Sequence, residues 1–240
     1  MKFIDQLKEK AKQNKKTIVL PETSDMRTIE AAGKVLAEGI ANIILVGDKE
    51  DIMSRAGDID LSGASFVDPK NYEKFDEYVD AFVEMRRKKG MTEARAKELL
   101  LTNPLYFGCM MVKQDDADGM VAGAINASAD VLRAALQTLK TAPGTRIVSA
   151  FFLVVVPDCQ YGANGTFVFA DAGLNQSPSA SELADIAEQS AKSFELLVDE
   201  TPVVAMLSHS TKGSAKHPLV DKVVKAVEIA HEQYPGLTLD

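Results

Sequence analysis

Short β-branched runs alternate along this chain with longer amphipathic stretches, and that alternation limits the fold more than any other feature. Thr17-Ile18-Val19-Leu20 reads as a buried strand stopped by Pro21. Ile29, Ala32, Val35 and Leu36 then recur at helical spacing up to Gly39, and Ile43-Ile44-Leu45-Val46 reads as the next strand, closed by Gly47. Continuous apolar strands separated by amphipathic helices are the pattern of a parallel sheet covered on both faces. An α/β fold follows, with right-handed crossovers between parallel strands.

The rest of the chain is read the same way. Residues 70–113 are expected to be helical throughout, with Met85-Arg86-Arg87-Lys88-Lys89-Gly90 as a helix end rich in cations and closed by glycine. Residues 118–123 read as a strand ending in small residues, and 128–140 as a helix. Pro143-Gly144 is a break, which sets two domains, 1–143 and 144–240. Ile147 to Val156 is expected to be one long central strand, given its β-branched content and the Pro157 stop. Residues 167–171 and 203–207 read as further strands, and helices are expected near 181–198 and 219–234. A last strand begins near Leu237, so the sequence reads as truncated at Asp240.

Composition excludes several classes of function. The 240 residues carry 27 Lys and Arg against 35 Asp and Glu, a formal net charge of -8. Nucleic acid is excluded as a bulk partner, because its binding rests on clustered cations. No apolar run approaches the roughly 20 residues that span a bilayer, so no membrane partner is expected. The spaced apolar residues Phe3, Ile4, Leu7 and Ala11 form a helix face rather than a secretory signal. Cys109 and Cys159 build neither a disulfide framework nor a zinc pattern, which points to the cytoplasm. The histidines 209, 217 and 231 lack metal-ligand spacing, and no metal is expected.

Two segments suit anion binding. In Gly123-Ala124-Ile125-Asn126-Ala127-Ser128-Ala129-Asp130-Val131-Leu132-Arg133 a strand ends in small residues and a helix begins, exposing backbone N–H groups at the sheet edge. Ser128 or Asp130 is expected to cap that helix. Arg133 is expected in its first turn, where a cation opposes the helix dipole and a bound anion would offset the cost. The alternative is a plain surface pair between Asp130 and Arg133. The second segment is Ser208-His209-Ser210-Thr211-Lys212-Gly213-Ser214-Ala215-Lys216, where hydroxyls, a glycine and lysines follow a strand. It suits a phosphate, with Lys212 as a point charge, or else it is a solvated turn. Arg86 and Arg87 fit a helix end without any ligand. Cys109 reads as packed core, and Cys159 follows a strand with no neighbouring base.

The segments Ile18-Val19-Leu20-Pro21-Glu22-Thr23 with Arg27, Ser128 to Arg133, Leu139-Lys140-Thr141-Ala142-Pro143-Gly144, Val156-Pro157-Asp158-Cys159 with Tyr161-Gly162, and Ser210 to Ala215 occur in one order. In that order they resemble the phosphate acetyltransferase family, the acetyl/butyryl phosphotransferases. One departure is Ala134, where the family usually has proline. The other is length, because the chain looks like the family's first three quarters.

The resemblance implies two α/β/α three-layer domains with mostly parallel sheets and a cleft between them, and a homodimer. It implies reversible acetyl transfer between acetyl-CoA and phosphate, giving acetyl phosphate and coenzyme A, by direct thiolate attack. Coenzyme A is then a substrate, and no cofactor is expected. Arg86 and Arg133 match family arginines that bind coenzyme A or phosphate, with Arg87 a competitor for the first position. Ser128, Ser210, Thr211, Lys212 and Ser214 are substrate-binding candidates, and Cys159 matches a cysteine near the site that is not the nucleophile. The general-base aspartate is expected beyond Asp240. Competing readings are a phosphate butyryltransferase, a non-catalytic acyl-CoA-binding module, and an NAD-dependent decarboxylating dehydrogenase, which would need a cluster of metal-binding carboxylates.

Overall fold

A computed structural model describes residues 3–210 and 212–240. The chain divides into two compact units, residues 1–140 and 141–240.

The first unit is built on β1 (Thr17–Leu20), β2 (Asn42–Val46), β3 (Ser65–Val67) and β4 (Gly119–Met120), all parallel, in the order β3-β2-β1-β4. Between and around them lie α1 (Phe3–Gln13), α2 (Met26–Glu38), α3 (Lys49–Ala56), α4 (Phe75–Arg86), α5 (Glu93–Thr102), α6 (Pro104–Lys113) and α7 (Ser128–Thr138).

Strand side chains alternate between faces, and the cores show the result. Val19, Ile44 and Val46 pack with Phe82, Leu100, Phe107, Met110 and Ala134, from α4 to α7. Leu20, Ile43 and Leu45 pack with Ile29, Ala32 and Ile52, from α2 and α3. Helices therefore cover both faces, giving the three layers expected of this unit.

Two expectations change here. Residues 70–113 are mostly helical, with the helix end expected at 85–90 in place and a second, unexpected break at Asn103. A 3₁₀ turn at Arg87–Lys89 and Gly90, in the left-handed region at φ 75°, separate α4 from α5. Asn103 then ends α5 and caps α6, where Pro104 takes the first helical position. The strand expected over 118–123 is only Gly119–Met120. After the Val121 N–H bonds the Val19 carbonyl, the chain turns away at Gly123, φ 112°.

The second unit holds β5 (Phe151–Val155), β6 (Thr166–Ala170), α8 (Ala180–Val198) and α9 (Pro218–Gln233). Here the expected central strand over 147–156 and the mostly parallel sheet are both corrected. β5 begins at Phe151 and pairs antiparallel with β6, from Phe151 opposite Ala170 to Val155 opposite Thr166. The reason is the link. Residues 156–165 are too few for a crossover helix, which needs a dozen or more residues, and left-handed glycines at 162 and 165 turn the chain back. The strand expected over 203–207 is one parallel bridge, Val204 with Leu239, flanked by the Val204 N–H to Thr238 and Met206 N–H to Asp240 bonds. α8 and α9 close around Ala184, Ala187, Ala230 and Leu239. A capping box between Ser179 and Glu182 starts α8.

Candidate functional site

The backbone nest expected near residue 123 exists, and the protein fills it itself. β1 ends at Leu20, and Glu22 follows Pro21 with its side chain turned across the sheet edge. Its Oε2 accepts from the N–H groups of Gly123 and Ala124, both at 2.6 Å. Its Oε1 accepts from the N–H of Ile125 at 3.2 Å and Asn126 at 2.8 Å, and from the Asn126 amide at 2.7 Å. Glu22 is 2% exposed. Burial pushes its carboxyl up, but the bonds from Asn126, Ala124 and Ile125 outweigh that and hold it at about 2. The reading of this nest as a ligand's anion site is thereby corrected. The sequence does not single out Glu22 as the occupant of this nest, because its donors lie about a hundred residues away.

The first turn of α2 also holds the loop. Arg27 lies along Asp25, donating through Nε at 3.0 Å and Nη2 at 2.7 Å, and Nη2 also donates to the Ala124 carbonyl at 2.5 Å. Thr23 donates to the Val46 carbonyl at 2.6 Å, which ties the turn to the end of β2.

From this loop the chain enters α7. Ala127 occupies the cap position and makes no side-chain cap bond, so neither Ser128 nor Asp130 caps the helix. Arg133 is the sixth helical residue rather than a first-turn one, because the helix starts at Ser128 itself. It pairs with Asp130 at 2.6 Å, and both side chains are half-exposed. The surface-pair geometry is thus present, while the guanidinium keeps an open face.

Tyr106 of α6 touches both the helix that ends at Arg86 and the one that carries Arg133. Burial raises the Tyr106 hydroxyl, and the charges of Arg133 and Arg86 both act to lower it. That hydroxyl donates to Gln137 of α7 at 3.2 Å, and its ring packs edge-on against Phe82 of α4. Arg86 has a buried Nε with no hydrogen-bond partner. Arg87 instead pairs with Glu84 on the surface and is 72% exposed. Of the two neighbours, Arg86 is the more buried. Tyr106 was also missed in the sequence, where it reads as one more apolar residue of α6.

The remaining candidates lie in the second unit. Ser208 Oγ donates to the Ser210 carbonyl at 3.0 Å and accepts from the Ser210 N–H at 3.1 Å. Ser210 Oγ accepts from the Ala215 N–H at 3.0 Å and stands 3.4 Å from Ser214 Oγ. Lys212 and Gly213 both take left-handed backbone, and the Lys212 ammonium is 3.5 Å from Asp240. Thr211 lies outside the described residues. Cys159 sits in the β5–β6 turn, 3.9 Å from the Tyr161 carbonyl, while Cys109 is buried in the first core as expected. His217 caps α9, accepting from the Leu219 N–H. Among the described residues no group of three or more His, Cys, Asp or Glu is placed to hold a metal ion, and no helix is long and apolar enough to cross a membrane.

Residues 2–240 match the family described as "Phosphate acetyl/butaryl transferase". The chain belongs to this family. A phosphate acetyltransferase from Acetivibrio thermocellus is 52% identical over 240 residues, covering all of this chain and 72% of that protein. One from Thermoanaerobacterium thermosaccharolyticum is 53% identical, with 73% of its length covered. One from Escherichia coli is 40% identical over 241 residues, only 32% of its length. Among solved structures, the EutD phosphotransacetylase from Staphylococcus aureus aligns at TM-score 0.88 and 37% identity, over 99% of this chain and 71% of that one. A phosphotransacetylase from Streptococcus pyogenes aligns at TM-score 0.88 and 39% identity over the same shares. As a member of the phosphate acetyl/butaryl transferase family, the chain has relatives along both units, including the antiparallel ribbon.

Proposed function

We propose that this chain is a phosphate acetyltransferase, which moves an acetyl group reversibly between coenzyme A and inorganic phosphate. The observation that carries the reading is the family match over residues 2–240, with relatives of that activity more than half identical over the whole chain. The half-exposed guanidinium of Arg133 supports it, since an open guanidinium suits the phosphates of both substrates.

In the proposed reaction the coenzyme A thiolate attacks the carbonyl carbon of acetyl phosphate. A C–S bond forms, the C–O bond to phosphate breaks with its electron pair going to the leaving oxygen, and the thiol proton passes to a base. A free thiol has a pKa of about 8.5, so at neutral pH the step needs a positioned base. We place that base, an aspartate, beyond Asp240. Arg86 and Arg133 hold substrate phosphate and offset charge developing on the leaving oxygens. Ser128, Ser210, Thr211, Lys212 and Ser214 are proposed to contact substrate, and Cys159 is proposed to lie nearby without forming an acyl intermediate. Coenzyme A serves as substrate rather than resident cofactor. A homodimer in the cytoplasm completes the reading.

The nearest competitor is a phosphate butyryltransferase, whose acyl pocket differs by two methylenes. The test runs the reaction backward. With acetyl-CoA and phosphate supplied to the gene's whole product, thioester absorbance should fall as acetyl phosphate accumulates. Thioester loss without acetyl phosphate would make the protein a hydrolase. A strong preference for butyryl-CoA would favour the competitor.

A further inference from the structure

Four consecutive backbone N–H groups, from Gly123 to Asn126, point at one carboxylate that lies about a hundred residues earlier in the chain. The Asn126 amide adds a fifth donor, and Arg27 holds the carbonyl of Ala124 on the same loop. Glu22 lies in the connection between β1 and α2, and Arg27 in the first turn of α2. The loop has little other support: β4 ends at Met120, and the cap of α7 makes no side-chain bond. The path from the sheet edge into α7, which carries Arg133, is held at residues 123–126 by Glu22, while Ala122, Val131 and Ala134 pack on the core to either side. With five donors already directed at it, the carboxylate is not arranged to receive a ligand, and a phosphate could enter this nest only by displacing a buried anion.

We propose that Glu22 is a positioning residue for ligand binding at Arg133, a built-in anion that fixes the β4–α7 loop and with it the approach of α7. The proposal rests on the reading of Arg133 as a contact for coenzyme A or phosphate. A nest of backbone donors normally takes an external anion. Here the anion is part of the chain, so the donors stay ordered whether or not substrate is bound, as a preorganised site requires.

Removal of the side chain should turn the nest into a site for small carboxylates, which gives the test. In Glu22→Ala the amides of residues 123–126 should exchange faster with solvent, and the Kd for coenzyme A should rise by about tenfold, as expected for lost charge-assisted bonds. Formate should restore both, saturably, where chloride at equal ionic strength does not, and it should leave the unsubstituted protein unchanged. Asn126→Asp keeps Glu22 but sets a second carboxylate against it, so it should raise the Kd without formate rescue. It decides the matter alone if Glu22→Ala does not fold. Faster exchange with an unchanged Kd in both variants would reduce Glu22 to a structural role and overturn the proposal. Unchanged exchange would overturn the clamp itself. If the unsubstituted protein binds no coenzyme A, the reading of Arg133 fails, while exchange and formate rescue still judge the clamp.

Discussion

Among single residues, Glu22 and Arg133 differ in whether their partners leave a face open. Glu22 is enclosed by donors, and its carboxyl lies at about 2 against an ordinary value of 4.5. A depressed carboxyl stabilises the fold above its unfolded pKa and loses that contribution as pH falls toward the folded value, here from about 4.5 to about 2. Unfolding free energy measured across that window should drop, with about 3 kcal/mol traceable to Glu22. Glu22→Gln should flatten the drop, and an unchanged profile would show that the carboxylate is not held as described. Arg133 is the opposite case, paired on one side and open on the other. Arg133→Ala should leave the melting temperature nearly unchanged, since exposed pairs contribute roughly 0–1 kcal/mol. It should weaken coenzyme A or phosphate binding about tenfold or more. Unchanged affinity for both ligands would make it a surface residue only. Cys159→Ser should retain turnover, because no base accompanies the thiol, whereas an acetyl thioester trapped on Cys159 would overturn direct transfer.

Elements whose identity is written in local pattern were legible, and those decided by pairing were not. β1 and β2 announced themselves as apolar runs bounded by Pro21 and Gly47, and α8 and α9 by periodicity. Nothing local distinguished β5 in an antiparallel ribbon from a buried central strand, because both read as a β-branched run. The deciding signal was the short link to β6 with its left-handed glycines, a matter of distance rather than composition. At Gly165, φ is 84° and a Cβ would lie 2.1 Å from the Val156 carbonyl oxygen. Gly165→Ala should therefore open the ribbon, accelerating amide exchange in β5 and β6 and costing at least ~1–3 kcal/mol. Wild-type exchange there would contradict the turn geometry. In the site, Arg86 and Arg133 could be named from the family pattern. The placing of Tyr106 between their two helices could not, since it depends on how α4, α6 and α7 pack. Glu22 escaped because a buried carboxylate is rare and is legible only through donors far away in sequence.

In the molecule as a whole, the first unit carries Arg86 and Arg133 on a three-layer frame, and family membership across residues 2–240 supplies the reaction. The proposed chemistry needs phosphate contacts, a carbonyl and a deprotonated thiol together; in that proposal Arg86 and Arg133 make the first, and the base is an aspartate past Asp240. Residues 1–240 alone should then bind coenzyme A yet turn over little, whereas the product of the whole gene should be active. The most direct measurement follows thioester absorbance and free phosphate together, with acetyl phosphate and coenzyme A supplied to that product. Acetyl-CoA and phosphate should appear in equal amounts and only when coenzyme A is present. Phosphate release without thioester would contradict the account.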